Sequence, residues 1–526
     1  MTTRRLTAPR RLLAVGAALA VLAVVVAGCG GSSKAGAAGA AGTDGRAAQA
    51  FPASTVGFLD ANIDESSTAW KQLLTLGQRF PSWPKLVTEF NKAANDATSN
   101  GPTLAQLRSW LGSELAIGVL DVPTGGADPQ VLGFAEVRDK AQLEAAITKQ
   151  KDTRPLGKHG DYDLFGGKHD AVVAISSDTA LVSNARAVAV AAIDRLAGTG
   201  DRLSDLSTYK DTLASLPSDN IVVGYAPGSA LQQLVTLGRQ KAPSGPANSV
   251  TDAQFGKITE ALAGVRSLGF SLGATDKGLR LRATSLMSGD SKSLPNPYEP
   301  TLLSRVPASS WFAASFGDAG TSTKTAVDQA LGSNPSAQQK IAQAEAALGI
   351  KLDDVYALLA GEHALFAGPG APVSAGMILH PADVPRGAAT LKALTKLLTQ
   401  QGIAFTDTAD GQSAAIQGFA VRWRAAGDVI GIGTDPTVGD AVKDSIVDSE
   451  RFKRVLAEDG VDIKSKTLGL AYVDVPSLVN LASAFGAFKS ASDKQVLENL
   501  KHVGGLLFWS GRDGDTVTSD VFVEST

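Results

Sequence analysis

Leu111-Gly-Ser-Glu-Leu-Ala-Ile-Gly-Val-Leu120, a loop, and then Val131-Leu-Gly-Phe-Ala-Glu-Val137 make up the stretch on which the fold turns. Two apolar runs of strand length separated by a polar loop predict an antiparallel hairpin, Glu114–Leu120 with Val131–Val137. Asp139 then caps a helix, with Gln142 at the capping-box position and Leu143, Ala146 and Ile147 along one face. A second version follows 248 residues on (362 minus 114, aligning Glu362 with Glu114). It reads Leu359-Ala-Gly-Glu-His-Ala-Leu-Phe-Ala-Gly368, then Ala375-Gly-Met-Ile-Leu379, then a helical pattern over Thr390–Leu398. Internal repetition at this scale points to a duplicated architecture. Ala116, Ile117, Phe134 and Leu143 are the expected core residues of the first version.

Working outward, the same order of elements is legible in both halves. Each opens on a Pro-Ala-Ser turn and an apolar run: Phe51-Pro-Ala-Ser-Thr-Val-Gly-Phe-Leu-Asp60, and Val306-Pro-Ala-Ser-Ser-Trp-Phe-Ala-Ala-Ser315. Helical patterns follow at 67–80, 85–95 and 104–111, with Thr103 and Gln106 as a capping box for the last. The second half has them at 323–331, 337–348 and 353–359. Pro81, Pro84 and Pro335 interrupt these sets. After the hairpin and its helix, strands are expected at 162–165, 171–175 and 179–182, against 419–424 and 429–433. Helices are expected at 185–196 and 206–216, against 438–447 and 451–458. A strand and helix close in at 220–225 and 229–237, against 467–472 and 476–485. Each half ends on a hairpin. In the first, Leu268, Phe270 and Leu272 alternate with small polar residues up to Asp276-Lys-Gly278, and Leu279 and Leu281 alternate beyond it. In the second, Asp513-Gly-Asp515 supplies the turn. Hairpins separated by helices predict an α+β fold: two similar repeats, each a mainly antiparallel sheet with helices on one face. The repeats are expected at 51–290 and 306–526, joined by a Pro-rich connector over 291–305.

The N-terminal stretch reads differently. Arg4, Arg5, Arg10 and Arg11 precede an uncharged run, Leu12–Ala27, that ends in Val26-Ala27-Gly28-Cys29. This resembles a bacterial lipoprotein signal peptide with its lipobox. The resemblance implies cleavage after residue 28 and a diacylglycerol (palmitate-type) anchor on Cys29. It places the protein on the outer, extracytoplasmic face of the cell membrane. The other reading of the run is a transmembrane anchor, for which it is short against the roughly 20 apolar residues of a full span. Arg10-Arg11-Leu12-Leu13 lacks the usual flanks of a twin-arginine signal. Residues 29–50 are rich in Gly, Ala and Ser and predict a flexible tether.

Cys29 is the only cysteine, so no disulfide forms within the chain and no thiolate chemistry is available to it. The formal net charge is -3, and removing the four arginines of residues 1–28 gives -3 - 4 = -7. A mildly acidic body argues against nucleic acid and against broad electrostatic docking on anionic lipid.

Taken together, Phe51-Pro-Ala-Ser, Gly112-Ser-Glu114-Leu-Ala116, Gly133-Phe-Ala-Glu-Val137 and Ala174-Ile-Ser-Ser-Asp-Thr-Ala-Leu-Val182 resemble a family of exported bacterial proteins, domain of unknown function 3352. The resemblance spans nearly all of 51–526. It brings no activity and no catalytic residues to transfer.

Candidate chemistry is sparse. Gly269-Phe-Ser-Leu-Gly273 matches a hydrolase elbow in letters, but Ser271 falls inside an alternating strand rather than on a strand-to-helix turn. Ser207-Thr-Tyr-Lys210 matches Ser-x-x-Lys without its companion motifs. His159, Asp161, Asp163, His169 and Asp170 cluster as weak metal candidates, though no ligand spacing is recognisable and a polar hairpin explains them. Glu114 and Glu362 occupy equivalent places and are the candidate paired carboxylates; the plainer expectation is a solvated residue at the start of each strand. Trp70, Trp83 and Trp110 are expected in the core more than at a binding surface. No cofactor is expected. The leading functional expectation is a lipid-anchored envelope protein without catalytic activity that binds or scaffolds an extracytoplasmic protein or polymer. Two others stand beside it: a solute-binding lipoprotein with a ligand cleft between the repeats, and a hydrolase with no recognisable local motif.

Overall fold

The computed structural model describes residues 45–98, 104–122, 128–150, 152–167, 170–241, 259, 262–289, 296–331, 335–370, 373–416 and 418–526. Cys29, Thr103 and His169 lie outside them. The chain divides into two compact units. The first runs to Ser293 and takes in Gly514–Thr518; the second holds Leu294–Asp513 and Ser519–Thr526.

The quoted stretch forms the expected hairpin. β2 (Leu111–Val119) and β3 (Val131–Val137) pair antiparallel, with Ala116 opposite Phe134. The pairing register shifts between Leu111 and Leu115, a bulge at Gly112–Glu114; bulges re-aim side chains near them. Eight further strands extend this sheet: β1 (Gly57–Asn62), β4 (Arg154–His159), β5 (Tyr162–Gly166), β6 (Val172–Ile175), β7 (Thr179–Ser183), β8 (Val222–Pro227), β9 (Val265–Ala274) and β10 (Gly278–Met287). The order across it is β4-β5-β6-β7-β3-β2-β1-β8-β9-β10, every pair antiparallel.

Helices lie on both faces of this sheet, where a single covered face was expected. Successive residues of a strand point to opposite sides, and both sides are apolar here. Leu132 and Phe134 of β3, Leu181 of β7 and Phe58 of β1 enter one core. It is closed by α1 (Ala47–Ala50), α6 (Arg186–Leu196) and α7 (Ser207–Ala214). Ala135 and Val137 of β3, Ala180 of β7 and Ala61 of β1 enter the other, under α2 (Thr68–Gly77), α4 (Leu104–Trp110) and α5 (Lys140–Thr148). The inner strands β3, β6, β7 and β8 are rich in small and apolar residues at nearly every position, which suits strands buried on both sides. Of the expected core residues, Ala116, Phe134 and Leu143 are buried, while Ile117 is half-buried. The Asp139 cap forms as read: its carboxylate accepts from the Gln142 amide at 3.0 Å and from the Gln142 side chain at 2.7 Å. The remaining helices of this unit are α3 (Trp83–Thr98) and α8 (Gly228–Lys241).

In the second unit the strands are β11 (Phe312–Gly317), β12 (Glu362–Pro369), β13 (Val373–Leu379), β14 (Phe405–Asp407), β15 (Gly411–Ile416), β16 (Phe419–Ala426), β17 (Val429–Gly433), β18 (Gly469–Asp474), β19 (Val503–Asp513) and β20 (Thr516–Ser525). Their order is β14-β15-β16-β17-β13-β12-β11-β18-β19-β20. Its helices are α9 (Ala319–Leu331), α10 (Pro335–Leu348), α11 (Leu352–Leu358), α12 (Val384–Gln400), α13 (Glu450–Asp459), α14 (Val475–Ala484) and α15 (Ala491–Leu500). Two cores again sandwich the sheet. Ile378 and Val429 pack with Phe452, Val455 and Leu456 of α13, whereas their chain neighbours Leu379 and Ile430 pack with Leu358 of α11 and with Val384, Ala388 and Leu391 of α12.

Three local expectations are corrected. Residues 438–447 are not helical; they form turns and end in a tight helical turn at Ile446–Asp448. Gly439 sits there at φ 90°, and Cβ-bearing residues avoid that region, while Asp440 is drawn off to the Arg424 guanidinium at 2.5 Å. The helix breaks near Pro84 and Pro335 are present, but the helices start two residues earlier than expected, at Trp83 and Pro335, and take the prolines in. Both prolines stand in the first turns of α3 and α10, where a missing N–H costs nothing. The end of the expected tether is folded: Ala47, Ala48 and Ala50 of α1 are at most 1% exposed. An all-alanine face has no bulk to signal burial, and that is why composition pointed to a linker.

Candidate functional site

The two glutamates singled out by the repetition are anchors rather than solvated strand ends. Glu362 opens β12 and is 8% exposed. Its carboxylate accepts from the amides of Thr301 at 3.1 Å and Leu302 at 2.7 Å, from Thr301 Oγ1 at 2.6 Å and from Ser315 Oγ at 3.2 Å. Thr301 and Leu302 begin a tight helical turn, Thr301–Arg305, that leads into the Pro-Ala-Ser turn at 307–309. A carboxylate on the free amides at the start of a helix satisfies donors that have no partner within the helix. Burial pushes the Glu362 carboxyl up from its ordinary value, and these donors oppose that.

Glu114 does the same in the first unit. Its Oε1 accepts from the Ala47 amide at 2.9 Å, at the start of α1, which leads into the Pro-Ala-Ser turn at 52–54. Burial is again the largest influence and raises its carboxyl; the Ala47 amide lowers it and the charge of nearby Glu136 raises it further. Arg46, next to α1, pairs with Asp178 at 2.6 Å.

The first unit holds one group that the sequence reading passed over. Asp60 of β1 lies opposite Ala116, two residues from Glu114, so both carboxylates project from the same face. Asp60 is 1% exposed and its Oδ1 has no hydrogen-bond partner. Burial drives its carboxyl well above the usual carboxylate range, and the Glu114 charge adds to that. Tyr209 of α7 is fully buried, and its hydroxyl also lacks a partner. Burial raises its pKa, with the charges of Asp60 and Glu114 contributing. Its ring stands edge-on to Phe58 at 5.9 Å and to Tyr225 at 5.2 Å. The available signal was a lone acid inside the apolar run Phe58-Leu-Asp-Ala61.

The weaker candidates are dispersed. His159 Nε2 meets Asp194 at 2.7 Å, while Asp163 turns to Lys140 at 2.7 Å and Lys158 at 3.0 Å. The Lys140 and Lys158 ammonium groups hold the Asp163 carboxyl down to about 2. Among the described residues no three metal-binding side chains converge. Ser271 is buried mid-strand, between Val223 of β8 and Arg282 of β10. It borders a small recess lined also by Pro217, Asn220 and Arg280. Ser207 and Lys210 are both exposed on α7. Trp70 and Trp110 are core residues whose indole N–H groups reach Asn62 O at 2.6 Å and Gln142 Oε1 at 2.8 Å; Trp83 is half-buried. His363, beside Glu362, is fully buried and stacks on Phe316 at 5.2 Å; burial lowers its pKa. Among the described residues no helix is long and apolar enough to cross a membrane.

A family model described as a protein of unknown function, DUF3352, matches residues 14–523. The chain belongs to this family. The DUF3352 description assigns no activity, so the anchoring roles of Glu114 and Glu362 rest on the geometry alone. No curated protein matches the chain. Among solved structures, crystal form III of TP0453 is similar over 47% of this chain and 81% of that one, at 10% identity and a TM-score of 0.29. Crystal form I of TP0453 is similar over 48% and 81%, at 9% identity and a TM-score of 0.27. Similarity of this size carries no argument about ligand or role.

Proposed function

We propose that this DUF3352 protein is a lipid-anchored, non-catalytic envelope protein that presents a duplicated α+β body to an extracytoplasmic protein or polymer. The observation that carries the reading is Val26-Ala27-Gly28-Cys29 behind an arginine-flanked apolar run and ahead of a Gly/Ala/Ser-rich stretch. Lipidation of Cys29 leaves the body outside the membrane, on a short leash.

Duplication is supported by the strand orders. Adding ten to each strand number of the first unit gives the order of the second. Each unit also fixes its Pro-Ala-Ser turn in the same way, with a Pro52–Arg202 bridge in one and a Pro307–Ser445 bridge in the other. Glu114 and Glu362 then hold equivalent helical turns. That gives both acids a structural occupation and supports a binding role over an acid–base one.

Two measurements test the proposal. Mass spectrometry of the N-terminus of protein purified from membranes should find Cys29 first and diacylated, and Cys29→Ser should move the protein to the soluble fraction. A Cys29→Ser protein that stays in the membrane pellet refutes the anchor. Crosslinking in intact cells should return one reproducible partner, and a clean absence of specific crosslinks counts against the scaffold role.

A further inference from the structure

The single turn α1 cannot sustain itself, because one turn of helix is below the nucleation threshold. Four things hold it to the first unit: its buried alanines, the Arg46–Asp178 pair, the Glu114 carboxylate on the Ala47 amide, and the Arg195 guanidinium on the Ala50 carbonyl at 3.1 Å. The third depends on an arrangement that carries one acid too many. Glu114 and Asp60 project side by side from one sheet face, Asp60 fully enclosed and with Oδ1 unpaired.

The charged and titratable groups around the pair are few. Arg46 and Asp178 flank it at α1 and at the β6–β7 turn, Glu136 comes from β3, Tyr209 from α7, Tyr225 from β8, and Tyr162 of β5 borders Arg46. Arg46 is the one cation among these groups, and it is partly exposed and already engaged by Asp178. With the Glu136 charge already close to Glu114, the buried Asp60–Glu114 pair accommodates one further negative charge and not two. The Ala47 amide and the nearby Arg46 charge favour it on Glu114, while Asp60 Oδ1 has no donor, so Asp60 has to stay neutral. The second unit lacks the conflict. Ser315 stands opposite Ala364 as Asp60 stands opposite Ala116, and it donates to Glu362.

We propose that Arg46–Phe51 is a pH-sensitive latch, closed while Asp60 keeps its proton beside Glu114 and released when Asp60 ionises. Opening admits water to both carboxylates and frees the segment that joins the N-terminal stretch to β1. The direction follows from linkage. The closed state binds a proton that the open state gives up in the ordinary carboxylate range. Closure is therefore fully favoured below that range and is lost as pH rises through the closed-state value.

Amide hydrogen exchange on the full-length protein tests this. After correction for the intrinsic rate, protection of the Ala47 and Gln49 amides should fall by up to about tenfold per pH unit above the ordinary carboxylate range and level off at the closed-state value of Asp60, while β8 stays protected. Asp60→Asn, a permanent neutral mimic, should keep the latch protected across the range. PH-independent protection in the native protein overturns the proposal. So does an equal fall in Asp60→Asn, or a parallel loss in β8, which would mean global unfolding. Should Asp60→Asn fail to fold, Asp60→Ser copies the Ser315 arrangement and is judged by the same outcomes.

Discussion

Glu362 shows what a single residue does here and what its letter conceals. Its donors Thr301 and Leu302 lie 61 and 60 residues away, and the Ala47 donor of Glu114 lies 67 residues away. Repetition in the sequence found both acids. Their surroundings were misread as solvent because no local pattern reports partners so distant. Asp60 was passed over for the opposite reason: one acid in an apolar strand reads as an interruption, when it marks a buried carboxyl group. Glu362→Ala removes the acceptor while leaving the amide of buried Leu302 without its partner, and an unmade buried bond costs about 1–3 kcal/mol. We expect a loss of roughly 2–4 kcal/mol in denaturant unfolding of the full-length protein, because the lost acceptor is charged and several donors share it. Glu362→Gln keeps an acceptor oxygen and should lose markedly less. Equal losses for the two variants would show that the site works by volume and not by hydrogen bonding.

Elements were legible where alternation or a turn residue announced them. β9 and β10 meet at Asp276–Gly278, and β19 and β20 at Gly514, as the Gly-containing turns require. Elements without such marks were missed. β4 carries Pro155 and a register shift, and β14 is only Phe405–Asp407, so neither shows period-two alternation. The second apolar face of each sheet was also hidden. Alternation implies one buried side, and these strands have two. α1 is the clearest case of structure without signal, since Ala47, Ala48 and Ala50 look like linker and pack against α6 and the tight turn Leu203–Asp205. Inserting bulk there separates the two views. Ala48→Leu has no cost in a flexible tether, but in a closed core overpacking costs typically 1–3 kcal/mol, about what we expect from the unfolding midpoint. The same variant should raise exchange at Ala47 while leaving β12 protected.

At the scale of the whole molecule, charge and anchor make opposite demands on how the protein meets a membrane. The chain without residues 1–28 carries -3 - 4 = -7, a sign that repels anionic headgroups. Attachment through acyl chains on Cys29 is apolar and indifferent to ionic strength, whereas electrostatic attachment fades once the Debye length shrinks to about 3 Å near 1 M salt. Two chains matter, because each buried methylene contributes about 0.8 kcal/mol and a single chain binds only reversibly. The proposed anchor therefore predicts that washing membranes in about 1 M salt leaves the protein in the pellet. Detergent should release it, and so should cleavage within the Gly/Ala/Ser-rich stretch that follows Cys29. Release by salt alone would mean that a basic surface, and not the lipid, holds the protein, and would remove the main support for placing this body outside the cell membrane. Retention by Cys29→Ser after the salt wash would point instead to an apolar surface of the folded units, and would move the search for a partner from proteins and polymers to the bilayer itself.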